Sequence, residues 1–114
     1  MPQTIVHGEY YPRNILYRDG QIFPVDWESA AVGPGEIDLA TLTEAWDKET
    51  VEECHHEYLS ARWAGRTPVS FGEDLLRAEL YVAFRVLGER EECFSADRDQ
   101  LEPLRMHGEA LGLI

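Results

Sequence analysis

Lysine is almost missing from this sequence: nine of its ten basic residues are arginine, and Lys48 is the one lysine. Against them stand 22 acidic residues, a formal charge of −12 at pH 7. So acidic a chain lacks the basic face that nucleic-acid phosphates or an anionic membrane surface require, and neither partner is expected. Long hydrophobic runs are lacking too. No stretch approaches the ~18 consecutive apolar residues of a membrane span. Residues 1–6, Met-Pro-Gln-Thr-Ile-Val, have neither the basic start nor the apolar run of a signal peptide. Cysteine is scarce: Cys54 and Cys93 are too few and too far apart for a disulfide framework or a zinc ribbon. A cytoplasmic protein is the expectation. What is present, 114 residues with 44% apolar content, suits a single small globular domain over 1–114.

The chain divides by composition. Residues 1–35 carry Gly8, Pro12, Gly20, Pro24, Gly33, Pro34 and Gly35, which leave no room for a long helix and read as strand and loop. Within them Ile15-Leu16-Tyr17-Arg18, the pair Asp19-Gly20, and Gln21-Ile22-Phe23-Pro24-Val25 predict a β-hairpin with a two-residue turn. Pro24 belongs at an edge or a strand end, because it cannot donate to a ladder. Residues 36–112 read as three or four helices. One runs from Ile37 to Trp46, with Glu36 and Asp38 placed where the helix dipole favours negative charge. A second covers 49–64, with Val51, Cys54, His55, Tyr58, Leu59 and Arg62 on one face and Gly65 as its stop. A capping box at Ser70–Glu73 opens the most apolar helix, 75–87. The last spans about Gln100 to Leu111. The fold class is therefore α+β. Trp27 and Trp46 are expected in the core, and Gly33-Pro34-Gly35 as a turn ahead of a helix.

The chemistry sits in His7-Gly8-Glu9-Tyr10-Tyr11-Pro12-Arg13-Asn14, the hairpin, and Val25-Asp26-Trp27-Glu28. A two-residue turn at Asp19-Gly20 pairs Arg18 with Gln21, which sets Asn14 opposite Val25 and Asp26 one step beyond. An amide oxygen and a carboxylate thus meet at the hairpin's open end, an oxygen pair suited to Mg²⁺. Glu9, on the loop entering the same end, could accept a proton from a hydroxyl nucleophile. This is the logic of phosphoryl transfer, in which H-R-D-x-x-x-x-N supplies a base and a metal-binding Asn, and a second carboxylate after a hairpin completes the metal site.

The segment from His7 to Ala40 resembles the aminoglycoside phosphotransferase / choline kinase family. That family's usual pattern is H-G-D-x-x-x-x-N, a short hairpin, an I-D-W-E-like run and G-x-x-x-x-D-L-A. Here the corresponding residues are His7-x-Glu9-x-x-x-x-Asn14, Val25-Asp26-Trp27-Glu28, and Gly35-Glu36-Ile37-Asp38-Leu39-Ala40 after Gly33-Pro34. The resemblance implies a protein-kinase-like C-terminal lobe fragment that uses ATP and Mg²⁺ to phosphorylate a small-molecule hydroxyl acceptor. It implies Glu9 as catalytic base, Asn14 and Asp26 as Mg²⁺ ligands, and His7 and Asp38 as structural supports of the catalytic loop. Glu28 gains no role beyond the motif. Glu9 stands where the family usually has Asp, and the added methylene moves the carboxylate by on the order of 1 Å.

Six residues precede His7, no Gly-x-Gly-x-x-Gly occurs, and Lys48 lies downstream in a helical region. No nucleotide-binding residue can be assigned, and this chain alone is expected to be inactive. The competing reading is a non-catalytic truncated or pseudo-enzyme module, a scaffold or partner-binding surface. Apolar surface left without neighbours predicts self-association. His55-His56-Glu57 is a poor metal site, because adjacent helical residues point about 100° apart. The H-x-E of zinc deaminases fails here for want of P-C-x-x-C. Glu52, Glu53 and Glu57 read as a solvated helix face.

Overall fold

The structure, a computed structural model, describes residues 1–89 and 98–113. Cys93 lies outside the described residues, while Cys54 is a half-buried free thiol. Among the described residues four strands and four α-helices follow in order: β1 (Gln3–Val6), β2 (Ile15–Arg18), β3 (Gln21–Pro24), β4 (Ala31–Pro34), α1 (Glu36–Thr43), α2 (Lys48–Trp63), α3 (Phe71–Glu89) and α4 (Arg98–Ala110). The class is α+β.

The strands form two antiparallel pairs. β2 and β3 make the hairpin in the register that its turn predicts, Arg18 opposite Gln21 and Ile15 opposite Pro24. Asp19 (φ 51°) and Gly20 (φ 77°) both take the left-handed conformation that a tight two-residue turn demands. The Val25 amide then donates to the Asn14 carbonyl at 2.8 Å, extending the pairing by one step. The second pair, β1 with β4, joins Val6 to Ala31 and Gln3 to Pro34. Gly33 and Pro34 are therefore strand residues rather than a turn, and α1 begins directly at Glu36.

The core lies where α1 meets α3. Ala40, Ala78 and Val82 are buried there, with Ile37, Leu75 and Val86 packed around them. Two alanines at the centre let the helix backbones approach closely. The hydroxyls of Thr41 and Thr43, buried on α1, donate back to the carbonyls of Ile37 (2.7 Å) and Leu39 (2.9 Å), so neither carries an unmet polar group.

α2 is capped by Asp47, whose carboxylate accepts from the Thr50 amide (3.0 Å) and hydroxyl (2.7 Å). These bonds hold the Asp47 carboxyl below its usual range. The face Val51, Cys54, His55, Tyr58, Leu59 and Arg62 is half-buried, while Glu52, Glu53 and Glu57 are exposed. The helix ends at Ala64 and Gly65, both left-handed.

At α3 the Ser70 hydroxyl donates to Asp74 (2.8 Å), and Glu73 pairs with Arg77 instead of closing a capping box. Trp27 and Trp46 are not core residues: 50% and 37% of their surface is exposed. Trp27 instead lays its ring against His7, with centroids 4.6 Å apart, and its indole N–H donates to the Pro24 carbonyl at 2.8 Å. No helix among the described residues is long and apolar enough to cross a membrane.

Candidate active site

The loop after β1 is held by its backbone. His7 is the most deeply placed of its residues, with 2% of its surface exposed. Its Nε2 lies 2.7 Å from the Val25 carbonyl, and its Nδ1 accepts from the Glu9 amide at 3.2 Å. A carbonyl can only accept and an amide can only donate, so the proton belongs on Nε2 and the ring bridges loop to hairpin as neutral imidazole. Asp38, from the first turn of α1, accepts from the His7 amide at Oδ2 (2.7 Å) and from the Gly8 amide at Oδ1 (3.0 Å). One carboxylate thus satisfies two backbone donors.

Gly8 has φ +89°, and a Cβ there would stand 3.0 Å from Ser29 Cβ and nearer still to the Ser29 carbonyl oxygen. Only glycine fits this close crossing of the loop over the turn that precedes β4. A second glycine, Gly35, is closely covered, and a Cβ there would push on the Arg62 guanidinium and the Tyr58 hydroxyl, the movable ends of two side chains. There Arg62 Nη1 donates to Tyr58 Oη (2.6 Å) and Tyr58 Oη to buried Glu36 (3.4 Å), fastening α2 to the start of α1. Burial, and then the Glu36 carboxylate, push the Tyr58 phenol up.

Asp26 takes a left-handed conformation (φ 63°, ψ 62°), which costs a non-glycine residue on the order of 1 kcal/mol. It opens a turn of 3-10 helix over Trp27–Ser29 that folds the chain back on the loop. Carboxylate oxygens of Glu9, Asp26 and Glu28 thereby lie within 4.8 Å of one another. Two such charges repel by roughly 1 kcal/mol even at the dielectric of water, so the trio favours a cation between them. Ser29 donates its hydroxyl to Glu9 Oε2 at 3.2 Å. Asn14 donates Nδ2 to the Glu9 carbonyl at 2.8 Å, so Oδ1 is the atom it could offer a cation. The donor set is all oxygen, half open and strongly negative, and fits a hard cation such as Mg²⁺.

Of the residues that the sequence singles out, Glu9 and Asp26 are therefore together at the carboxylate cluster. Asn14 is tied to the Glu9 backbone, and His7 and Asp38 are tied to the loop. Sequence reasoning missed Glu28 and Ser29, which reach Glu9 only because Asp26 turns the backbone left-handed. It also missed Arg85 on α3, which donates Nη1 to the Gly8 carbonyl and Nη2 to Tyr11 Oη (3.2 Å). Arg85 does carry a signal in the sequence, since it continues the otherwise apolar stripe Leu75, Ala78, Val82.

A concavity of about 450 Å³ lies among α1, α2, α3 and α4 and is lined by Ala40, Val51, Val82, Glu79 and His107 among others. No residue of the loop 7–14 lines it.

Residues 1–72 match the model of the phosphotransferase enzyme family. The chain is also 34% identical over 83 residues to an N-acetylmuramate/N-acetylglucosamine kinase of Pseudomonas aeruginosa, a match that covers 68% of this chain and 24% of that protein. The chain thus spans about a quarter of the length of the curated relative it matches. No solved structure matches. With 72 of 114 residues under the family model, and the loop, hairpin and carboxylates inside that span, this chain belongs to the phosphotransferase enzyme family.

Proposed function

We propose that these residues form the C-terminal, kinase-like part of an ATP-dependent small-molecule O-phosphotransferase, with 1–35 as the catalytic and metal-binding segment and 36–112 as its helical support. The observation that carries this reading is the convergence of the Glu9 and Asp26 carboxylates, with Glu28, on a loop whose Glu9 carbonyl is held by the Asn14 amide. Glu9 accepts the proton of the acceptor hydroxyl as that oxygen bonds to the γ-phosphorus and the bond to the ADP oxygen breaks. The Ser29 hydroxyl, bonded to Oε2, orients the carboxylate so that Oε1 is left for the acceptor. Asn14 and Asp26 would hold Mg²⁺, and Glu28 is a further oxygen donor within reach. When bound, the ion neutralises charge on the transferring phosphate. His7 and Asp38 fix the loop that carries the base. The relative's name makes an amino-sugar hydroxyl the first acceptor to try.

These 114 residues contain neither a Gly-x-Gly-x-x-Gly nor a lysine in a strand, the parts that cradle the triphosphate in this chemistry. On their own they are expected to bind the cation and to show no phosphotransfer. The test is an NMR titration of the chain with Mn²⁺. Selective broadening at Glu9, Asn14, Asp26 and Glu28, lost in Asp26→Ala, supports the proposal. Broadening elsewhere, or broadening indifferent to Asp26→Ala, refutes it. In that event the competing reading stands, a non-catalytic partner-binding module, which the apolar surface of the hairpin favours.

A further inference from the structure

We infer that Arg85 is a positioning residue for the Glu9 carboxylate, acting through the Gly8–Glu9 peptide; this rests on the phosphotransferase reading of Glu9. The backbone at 7–9 is gripped from two sides by opposite charges. From α1, the Asp38 carboxylate takes the N–H groups of His7 and Gly8. From α3, the Arg85 guanidinium takes the Gly8 C=O. The N–H of the same Gly8–Glu9 peptide donates to His7 Nδ1. Both ends of that peptide plane are therefore fixed, and the plane sets the direction in which the Glu9 side chain leaves the backbone.

The grip is needed at this point more than elsewhere. Gly8 has φ +89°, and glycine has the freest backbone of any residue. Left unheld, the Gly8–Glu9 peptide could rotate and carry the carboxylate away from Asp26 and Glu28. Arg85 is well placed to prevent this. Ala78, Val82 and Arg85 stand at i, i+4 and i+7 of α3, so the guanidinium leaves the face that packs on α1, the helix that bears Asp38. Arg85 also braces Tyr11: Nη2 donates to its hydroxyl at 3.2 Å, and the guanidinium carbon lies 5.8 Å from its ring centroid. The Tyr11 amide in turn donates to the Glu9 carbonyl at 2.8 Å, so both peptides flanking Glu9 are tied to one side chain. A half-buried arginine on an apolar stripe is an expensive way to fill a core position. Its placement is explained by what it holds.

The test uses the 114-residue chain with Arg85→Ala, Arg85→Lys, and Arg77→Ala as a control on the same helix. Amide hydrogen exchange is read residue by residue without metal, and Mn²⁺ affinity is measured alongside. Arg85→Ala is expected to speed exchange at the Glu9 and Tyr11 amides while α3 keeps its protection. It should also weaken Mn²⁺ binding several-fold, because a displaced Glu9 carboxylate no longer adds its negative charge beside Asp26 and Glu28. Arg85→Lys, which keeps one donor for the Gly8 carbonyl, should recover part of both, and Arg77→Ala should change neither. Exchange that rises equally along α1 and α3, or loop amides and affinity left at wild-type values, overturns the inference. If the wild-type chain binds no Mn²⁺, the metal reading of the site fails, while the exchange pattern still decides what Arg85 holds.

Discussion

Replacing Gly8 with alanine should damage this protein more than the same change at any turn glycine, and two other glycines supply the controls. At Gly8 the new methyl is penalised twice. A left-handed φ costs an L-residue roughly 1–2 kcal/mol. The Cβ would also be forced on Ser29, 3.0 Å from its Cβ and its carbonyl carbon. Ser29 cannot retreat freely, because β4 starts two residues later and is paired to β1. Overpacking against such a fixed neighbour costs about 1–3 kcal/mol more. Gly20→Ala carries only the first penalty, since nothing lies within 4 Å of its Cβ at φ +77°. Gly35→Ala carries only a clash, with side chains that can move. All three substitutions reduce the freedom of the unfolded chain alike, so that effect cancels in their differences. Urea unfolding followed by tryptophan fluorescence should therefore rank Gly8→Ala as least stable. It should lie below Gly20→Ala by about 1–3 kcal/mol with an unchanged m-value. Equal losses at Gly8 and Gly20 would mean that the crossing with Ser29 is loose, and the close-packed site described above would be wrong.

Asp38→Ala leaves the His7 and Gly8 amides without their acceptor, and stability should fall by about 2–4 kcal/mol, while Asp38→Asn, which keeps one acceptor oxygen, should fall less in the same denaturation assay. Asp47→Ala should lower the melting temperature at pH 7. Since the folded carboxyl titrates below its unfolded counterpart, Asp47's contribution is present above about pH 4 and is lost as pH falls further, so melting curves of variant and wild type should converge in acid. Burial pushes His55 down, more than Glu79 and Glu52 push it up, and its buried Nε2 has no hydrogen-bond partner among the described residues. The folded state therefore resists its protonation. Stability held above about pH 6.5 should decline as pH falls, and His55→Phe should flatten that slope in thermal melts. The chain should self-associate despite its −12 charge, more strongly as salt screens that charge. Sedimentation showing a salt-independent monomer would refute this, and Ile22→Lys with Phe23→Lys should restore the monomer.

How far these features were legible in the sequence depended on how locally each was encoded. The hairpin register follows from Asp19-Gly20 alone, because a two-residue turn fixes every pair after it. The buried face of α2 was equally readable, since Val51 to Arg62 repeat at helical spacing. By contrast, β1 and β4 pair across the whole intervening hairpin rather than through a turn of their own, so Gly33-Pro34 reads as a turn. Trp27 and Trp46 depart from the expectation that an indole seeks the core: both are exposed, and Trp27 covers His7 with its N–H on a carbonyl. Glu9, Asn14, Asp26, His7 and Asp38 stood out by spacing. Glu28 and Ser29 depend on one left-handed residue, and Arg85 on a contact 77 positions away, which no local pattern records.

The pairing of Val6 with Ala31 has a consequence for how the molecule comes together. Those two residues close one loop, and His7, Glu9, Asn14, Asp26 and Glu28 all lie inside it. Closing some 25 residues costs about 3 kcal/mol of chain entropy beyond a fixed constant, and the hairpin at Asp19-Gly20, forming first, shortens the remaining gap. These five residues therefore belong to a segment of low contact order that can gather before α3 arrives. What arrives late is the outside grip, Asp38 from α1 and Arg85 from α3. On this order of events, substitutions in the turn should change how fast the chain folds, and substitutions at Arg85 how fast it comes apart.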